Sequence, residues 1–157
     1  MKTTASYLRA FCGASLLALA CIPAAWSADE VAPPDISFKP GDVRYTMNPA
    51  SPSQSAVLFG DPKQPGLFIL RVRIPANTKL PVHTHPDKVR IVSIISGTLY
   101  FGYGDKFDES KLIAYPAGSL FKEPIEAPHY SWTKDGDVVC DVIGMGPSFT
   151  TLVPQKN

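Results

Sequence analysis

The chain contains three histidines, and two of them have a spacing suited to metal binding. His83 and His85 are two residues apart, and on an extended strand side chains at i and i+2 leave from the same face. His129 lies 44 positions after His85, at the start of another β-like run. Imidazole binds Zn, Cu, Fe, Ni and similar ions, so a fold that brings His129 to the pair would create a site for one divalent metal ion.

Several short β-strands would have to position these side chains. Phe68–Ile74 alternates apolar residues with Arg71 and Arg73 at a period of two, which predicts a strand with one buried face. Strand-like runs also occur at Val89–Ile95, Thr98–Tyr103, Lys111–Tyr115, Leu120–Lys122, His129–Thr133 and Val138–Ile143. Short strands at this spacing, separated by Gly, Pro and Asp turns, predict an all-β sandwich or barrel. From residue 30 onward, the stretch 106–112 alone favours a helical turn.

Residues 1–27 have the order of charged, apolar and small residues that is typical of a secretory signal peptide. Lys2 and Arg9 flank the start of an apolar run that is shorter than the roughly 20 residues of a membrane span. Cleavage after Ser27 places small residues at both positions that a signal peptidase reads, and cleavage after Ala28 is the alternative. Lipidation of Cys21 is a further alternative. The sequence therefore predicts a periplasmic or secreted protein.

Residues 28–64 are rich in Pro, Ser and Asp and are predicted to form an N-terminal arm, mostly loop, with a short strand near Val57–Phe59. Residues 65–154 are predicted to form a single β domain. The leader carries two of the 15 Lys and Arg residues, so the rest of the chain has 13 against 14 Asp and Glu, a net charge of about −1. Nucleic acid and, after cleavage, membrane surfaces are therefore disfavoured as partners. About 130 residues can bury a core without staples, so we expect any metal to serve function rather than folding.

The three histidines fall in two motifs that resemble those of the cupin family. The first family motif is Gly, five residues, His-x-His, three or four residues, Glu, six residues, Gly; it corresponds to Asn77, His83, His85, Arg90 and Gly97. The second is Gly, five residues, Pro-x-Gly-x-x-His, three residues, Asn; it corresponds to Gly118, Pro124, Glu126, His129 and Thr133. The similarity spans Pro75 to about Gly146, and the stretches 104–108 and 115–119 look like those of small bacterial cupins.

The resemblance implies a fold and a cofactor. The fold would be a single cupin β-barrel, a double-stranded β-helix or jelly roll of antiparallel strands. The cofactor would be one divalent transition metal held by His83, His85 and His129, with Fe, Zn, Cu, Ni and Mn not distinguished by the ligand type. Cupins often dimerise, so the resemblance also suggests a homodimer.

Four motif positions differ from the family pattern. Asn77 replaces a turn glycine, which is tolerated because Asn adopts left-handed backbone readily. Thr133 replaces Asn and is interpreted as structural. Glu126 replaces a second glycine. Arg90 replaces the Glu that is commonly a fourth metal ligand in the family, and a guanidinium cannot bind a metal ion.

Arg90 therefore raises an electrostatic question. If it faces inward at about 5 Å from a divalent ion, the repulsion is on the order of 6 kcal/mol at an effective dielectric constant of about 20. Glu123 or Glu126 could supply a carboxylate that compensates, with Glu126 a candidate fourth ligand. Alternatively an anionic substrate could bridge Arg90 and the metal, with the guanidinium as a bidentate clamp. A third alternative is a register change that turns Arg90 to the surface.

Other reactive or aromatic residues are interpreted as core. Cys140, the one cysteine left after leader cleavage, lies in an apolar run and is predicted to be buried and inert. Seven aromatic residues at alternating β positions could line a pocket, but they are assigned to the core, and none is named as catalytic: Tyr100, Phe101, Tyr103, Tyr115, Phe121, Tyr130 and Trp132.

Three hypotheses for the function follow. The first is a metal-dependent enzyme, dioxygenase-like, in which Arg90 orients a small anionic molecule at the metal. The second is a noncatalytic periplasmic cupin that binds a metal or a small ligand, favoured by the absence of an obvious general acid or base. The third is a metal-free cupin in which Arg90 replaces the positive charge of the metal.

Overall fold

The computed structural model describes residues 36–49 and 51–155. The predicted leader, with its cleavage site and Cys21, and the start of the predicted arm lie outside the described residues. Within them are eleven strands: β1 (Thr46–Met47), β2 (Gln54–Phe59), β3 (Gly66–Ile74), β4 (Lys79–Thr84), β5 (Arg90–Ser96), β6 (Thr98–Tyr103), β7 (Ile113–Pro116), β8 (Leu120–Lys122), β9 (His129–Trp132), β10 (Val138–Gly146) and β11 (Thr151–Leu152). Two short 3-10 turns occur at Pro40–Asp42 and Glu109–Lys111. None of the helices in this part of the chain is long and apolar enough to cross a membrane.

The strands form two antiparallel sheets. One has the order β1-β2-β3-β10-β5-β8, and the other has the order β11-β4-β9-β6-β7. Over the described residues, strand pairing stays within each sheet, so the barrel is not closed, and the two antiparallel sheets agree with the all-β cupin fold expected from the sequence. The edge strands are short: β1 and β11 have two residues each, β8 has three and β7 has four. Their length limits the backbone available for pairing between the sheets.

The core lies between the sheets and follows from the alternation along the longest strands. β3 and β10 pair over nine residues, from Gly66 opposite Gly146 to Ile74 opposite Val138. Phe68 and Ile74 are buried against the second sheet, as their period of two predicts. On β3, Arg71 instead forms a two-bonded ion pair with Asp141, with both oxygen contacts at 2.8 Å.

Two strands differ from the sequence prediction. β2 runs over six residues and pairs with β3, so the end of the proline- and serine-rich stretch is part of the first sheet. β4 was recognised only as an extended stretch around the histidines, because Pro81 lies within it. Pro81 lacks a backbone donor, and the pairing of β4 with β9 is irregular between Leu80 and His83. The expected helical turn near residues 106–112 is present as Glu109–Lys111.

Candidate metal site

The three histidines converge because of the pairing of β4 with β9. His83 of β4 lies directly opposite His129 of β9, and His85 follows the end of β4. The ring centroids are 4.4 Å apart for His83 and His129, 4.9 Å for His83 and His85, and 5.3 Å for His85 and His129. One ring nitrogen from each residue lies within 4.8 Å of the others. The structure thus brings together the three residues that the motifs predict.

Each imidazole is oriented by one backbone carbonyl. Nδ1 lies 2.6 Å from the oxygen of Pro81 in His83, 2.9 Å from that of Phe149 in His85, and 2.9 Å from that of Ala127 in His129. A carbonyl oxygen only accepts hydrogen bonds, so Nδ1 carries the proton in the neutral ring and Nε2 carries the lone pair. This is the outer-shell arrangement found around metal-binding histidines.

Burial keeps two of the rings neutral. Burial lowers the pKa of His83 to about 4. Burial also lowers the pKa of His85 to about 2, and the positive charge of Arg90 adds to the effect. Both rings are therefore neutral at pH 7, with no proton on Nε2, which is the form that binds a metal ion.

A carboxylate adjoins the histidine cluster. Oε2 of Glu123 lies 3.8 Å from Nε2 of His85 and 3.8 Å from Nε2 of His129. Glu126, named from the sequence as a candidate fourth ligand, does not join this group, because its side chain is exposed and its backbone turns in the left-handed region at φ 51°. Of the two glutamates weighed from the sequence, Glu123 is the one that the structure places at the cluster.

Arg90 faces inward, so the alternative of an outward-turned side chain is wrong. Its side chain is 13% exposed and lies between two buried carboxylates. Nη1 donates to Oδ2 of Asp87 at 3.1 Å and to Oγ of Ser148 at 3.2 Å, and Nε lies 2.5 Å from Oε2 of Glu123. Bidentate capture of a ligand carboxylate would require Arg90 to release Asp87 or Glu123, because the protein already occupies both edges of the guanidinium.

Asp87 is a residue of this site that the sequence interpretation missed. Its side chain is fully buried, and it pairs with Arg90 three positions later. An acidic residue just before a basic one in a loop is common on protein surfaces, so the sequence contains no signal for its burial. Predicting the burial of Asp87 would have required knowing that Arg90 points inward.

The polar atoms of the cluster fit a bound cation. Nε2 of His129 and Oε2 of Glu123 are buried without a hydrogen-bond partner of suitable geometry, although Glu123 contacts Arg90. Buried polar atoms are rarely left in this state. Asp87 and Glu123 carry two formal negative charges against the single positive charge of Arg90, so a divalent ion would also compensate an excess of buried negative charge. Three imidazole nitrogens with a nearby carboxylate suit a divalent transition metal.

A cavity of about 400 Å³ opens beside the cluster. His83, His85, Arg90 and Glu123 line one part of it, and Lys63 is also in its wall. Most of the remaining wall is apolar, formed by Leu70, Val72, Ile74, Leu80, Val92, Leu99, Phe101, Cys140 and Val142. Its volume and its mainly apolar lining with a few polar groups are those of a small-molecule site.

The remaining predictions divide between core and surface. Cys140 is 3% exposed, which confirms that it is buried, and burial raises the pKa of its thiol to about 12. Phe101 and Phe121 belong to the core, and Phe101 stacks on His129 with 5.2 Å between ring centroids. Tyr103 is 41% exposed, so its assignment to the core was wrong.

Two of the motif departures are explained by the backbone. Asn77 has φ 54°, the left-handed conformation that a glycine would supply. Thr133 is buried, and its hydroxyl donates to the oxygen of Pro75 at 2.6 Å and accepts from the amide of Thr78 at 3.0 Å. Thr133 thereby fastens the turn before β4, which confirms its structural role.

The fold is similar to those of solved cupin structures. The polyketide cyclase RemF from Streptomyces resistomycificus has a TM-score of 0.64 and 13% identity, over 76% of this chain and 86% of that chain. The DMSP lyase DddQ from Ruegeria pomeroyi has a TM-score of 0.59 and 18% identity, over 80% of this chain and 75% of that chain. An RmlC-like cupin from Shewanella frigidimarina has a TM-score of 0.55 and 14% identity, over 73% of this chain and 93% of that chain.

At these identities the similarity shows the cupin fold alone, which agrees with the resemblance in the two sequence motifs. No protein-family model matches the sequence, and no protein of curated function matches it.

Proposed function

We propose that this chain is a metal-binding cupin that holds one divalent transition metal on Nε2 of His83, His85 and His129. The observation that carries the proposal is the common orientation of the three rings. Each Nδ1 faces a backbone carbonyl, which leaves Nε2 of each ring with the free lone pair, and one ring nitrogen from each histidine lies within 4.8 Å of the others. A hydrogen-bonding role for the histidines would not require all three lone pairs to point at one place.

The chemistry of the site follows from what the metal and the cavity each supply. A metal bound by three protein nitrogens keeps positions open and acts on a bound molecule as a Lewis acid or, for a redox metal, as an electron carrier. The apolar wall excludes water from one side of the bound molecule. Lys63 and the remaining Nη2 of Arg90 provide positive charge for an anionic group.

We propose on this basis that the protein acts on, or binds, a small anionic molecule with an apolar part. An enzyme of the dioxygenase-like, metal-dependent type is the first form of the proposal. The names of the structural neighbours, a polyketide cyclase and a DMSP lyase, support small molecules as the ligand class of this fold. Export to the periplasm or beyond the cell, expected from the leader, and assembly as a homodimer are part of the proposal.

A noncatalytic binding role is the second candidate, and one observation favours it. Among the cavity-lining residues, Glu123 and Arg90 are paired with each other, and Cys140 stays protonated because burial raises its thiol pKa. The described part of the cavity wall therefore holds no carboxylate or thiol that is free to act as a general base. Turnover of small anions by the metal-loaded protein, measured with and without oxygen, separates the two candidates.

The metal itself is tested by elemental mass spectrometry of the protein purified from its own compartment. We expect about one equivalent of a single divalent metal. A His83→Ala and His129→Ala double variant should lose it, and a Glu126→Gln variant, altered at an exposed position, should keep it. A wild-type protein that contains no metal and resists reconstitution would overturn the proposal.

A further inference from the structure

Positions 90 and 123 are neighbours across the edge of the first sheet. β5, which begins at Arg90, pairs antiparallel with β8, with Ile91 opposite Lys122. The backbone amide of Glu123 donates to the carbonyl of Arg90 at 2.9 Å. A side chain from either position can therefore enter the space beside the histidines.

Glu123 enters this space toward the histidines. Its side chain is 9% exposed, and Oε2 is 3.8 Å from each of two histidine Nε2 atoms, with no hydrogen-bond partner of suitable geometry. Two ligand atoms on the same zinc-like ion, each at roughly 2.1 Å, are about 3 to 3.4 Å apart. Glu123 is not part of the group of three histidine nitrogens that lie within 4.8 Å of one another, so its carboxylate would reach a ligand position by a side-chain movement.

Arg90 contacts the same carboxylate oxygen that approaches the histidines. Its Nε lies 2.5 Å from Glu123 Oε2, and its Nη1 is held by Asp87 and Ser148. The charges alternate from Asp87 through Arg90 to Glu123. An arginine at position 90 would repel a divalent ion, and the Glu123 carboxylate paired with it offsets that repulsion.

From this arrangement we infer that the carboxylate ligand lies at position 123, just after β8, and that the basic residue lies at position 90, at the start of β5, where the family motif has the carboxylate. Glu123 is the fourth metal ligand, in place of the carboxylate that the first cupin motif has at position 90. Arg90 is a positioning residue that holds Glu123 and balances its charge. This inference rests on the proposed function, because it requires the three histidines to bind a metal ion.

The test uses Co²⁺ as the probe, with the metal-stripped full-length protein. Calorimetry gives the affinity, and the visible absorption bands of Co²⁺ report its ligands. We expect Glu123→Gln to weaken Co²⁺ binding at least about 10-fold, the range seen when a supporting ligand group is lost, and to shift the bands. Glu126→Gln, the matched control, should leave affinity and bands unchanged. Glu123→Asp, which keeps the charge but withdraws the oxygen, should also weaken binding.

The exchange is tested by the double variant Arg90→Glu with Glu123→Arg. We expect it to bind Co²⁺ within a few-fold of wild type, whereas Glu123→Arg alone should abolish binding. Rescue by the swapped pair is a result that a merely structural role of either residue would not produce. Loss in Glu123→Gln without rescue by the double variant would overturn the assignment of Arg90.

Failure of the Glu123 ligand assignment and failure of the three-histidine metal site give different results. Wild-type affinity and bands in Glu123→Gln would remove Glu123 from the ligand set while leaving the three-histidine site intact. Failure of the wild-type protein to bind Co²⁺, or equal binding by the His83→Ala and His129→Ala double variant, would instead overturn the proposed function. Thermal unfolding of each metal-free variant identifies those that fold, and Glu123→Asp decides the assignment should Glu123→Gln fail to fold.

Discussion

Each histidine of the cluster is fixed by a backbone carbonyl rather than by a side chain. Two of these carbonyls, of Pro81 and Ala127, lie two residues before the ring that they orient. The third, of Phe149, comes from the segment before β11. The orientation of the rings is thus part of the backbone path, and a side-chain substitution nearby would not release it.

The residues of the site were predictable to different degrees. The motif spacing identified the three histidines. A period of two points His83 and His85 to one face, and the resemblance to the second cupin motif added His129. It could not choose between Glu123 and Glu126, because that depends on the backbone conformation at position 126, where φ is 51°. It could not place Asp87 either, because the inward direction of Arg90 depends on strand register.

The buried thiol of Cys140 leads to a prediction about its reactivity. Cys140 is buried, and its thiol pKa is raised to about 12, so little thiolate is present at pH 8. We expect iodoacetamide at pH 8 to leave Cys140 unmodified in the folded protein and to alkylate it in denaturant, as measured by mass spectrometry of its peptide. Equal rates in both conditions would mean that reagents reach Cys140 through the cavity.

At the scale of strands and turns, strands with an alternating apolar pattern were predictable from the sequence, and a strand that contains a proline was harder to recognise. The runs that became β3, β6, β8 and β10 were recognised from their apolar period or their turn boundaries. β4 was recognised only as an extended stretch, because Pro81 lies within it, and its pairing with β9 is irregular between Leu80 and His83. The two-residue strands β1 and β11 are too short to carry a period, and their pairing depends on neighbours that folding brings to them.

The turn before β9 is strained at one position. Glu126 has φ 51°, a conformation that costs a side-chain-bearing residue about 1 kcal/mol and that the family motif gives to glycine. We expect Glu126→Gly to raise the free energy of unfolding by up to about 1 kcal/mol in urea titrations, and Glu126→Ala to leave it unchanged. Metal affinity should not change, because the side chain is outside the ligand group. A weaker metal affinity in Glu126→Gly would return this residue to the site.

A hydrogen bond from the turn between β3 and β4 makes the stability of the fold depend on pH. The amide of Ala76 donates to Asp137 at 2.9 Å, and this bond, with the Arg73 guanidinium, holds the pKa of Asp137 below its ordinary value of 3.8. A carboxyl whose pKa is lower in the folded than in the unfolded state stabilises the fold above its unfolded pKa and loses that effect as pH falls through its folded pKa.

Asp137→Asn should therefore lower stability at pH 7, with the difference from wild type shrinking below about pH 3.8. Urea titrations at several pH values measure it. Asp105→Asn, at an exposed side chain, is the control and should change little at any pH. A difference that stays constant as the pH falls would mean that the charge of Asp137 contributes nothing.

At the scale of the whole molecule, the folding core adjoins the candidate site. The ten-residue apolar core cluster does not include the three histidines. Six of its members also line the cavity, and one of them, Phe101, stacks on His129. The all-β class and the cupin fold were predictable from alternation and motifs. Whether the barrel closes could not be predicted, because closure depends on pairing between edge strands, and sequence patterns do not say which edges meet.

The core cluster consists of apolar side chains and needs no ion to pack, which predicts the effect of metal removal. The chelated protein should keep its β circular-dichroism spectrum and a cooperative thermal transition, because the core does not depend on the ion. Adding back metal at about 100 times its dissociation constant should raise the free energy of unfolding by about 2.7 kcal/mol. The His83→Ala and His129→Ala double variant should show no such rise. Unfolding by chelator alone would mean that the metal is required for folding.

The most direct test of the three-histidine site is an anomalous diffraction map of metal-soaked crystals, collected on both sides of the absorption edge of the bound metal. We predict one strong peak about 2.0 to 2.3 Å from Nε2 of His83, His85 and His129. A peak at Nδ1, a peak at other residues, or none in crystals that contain the metal would contradict the account.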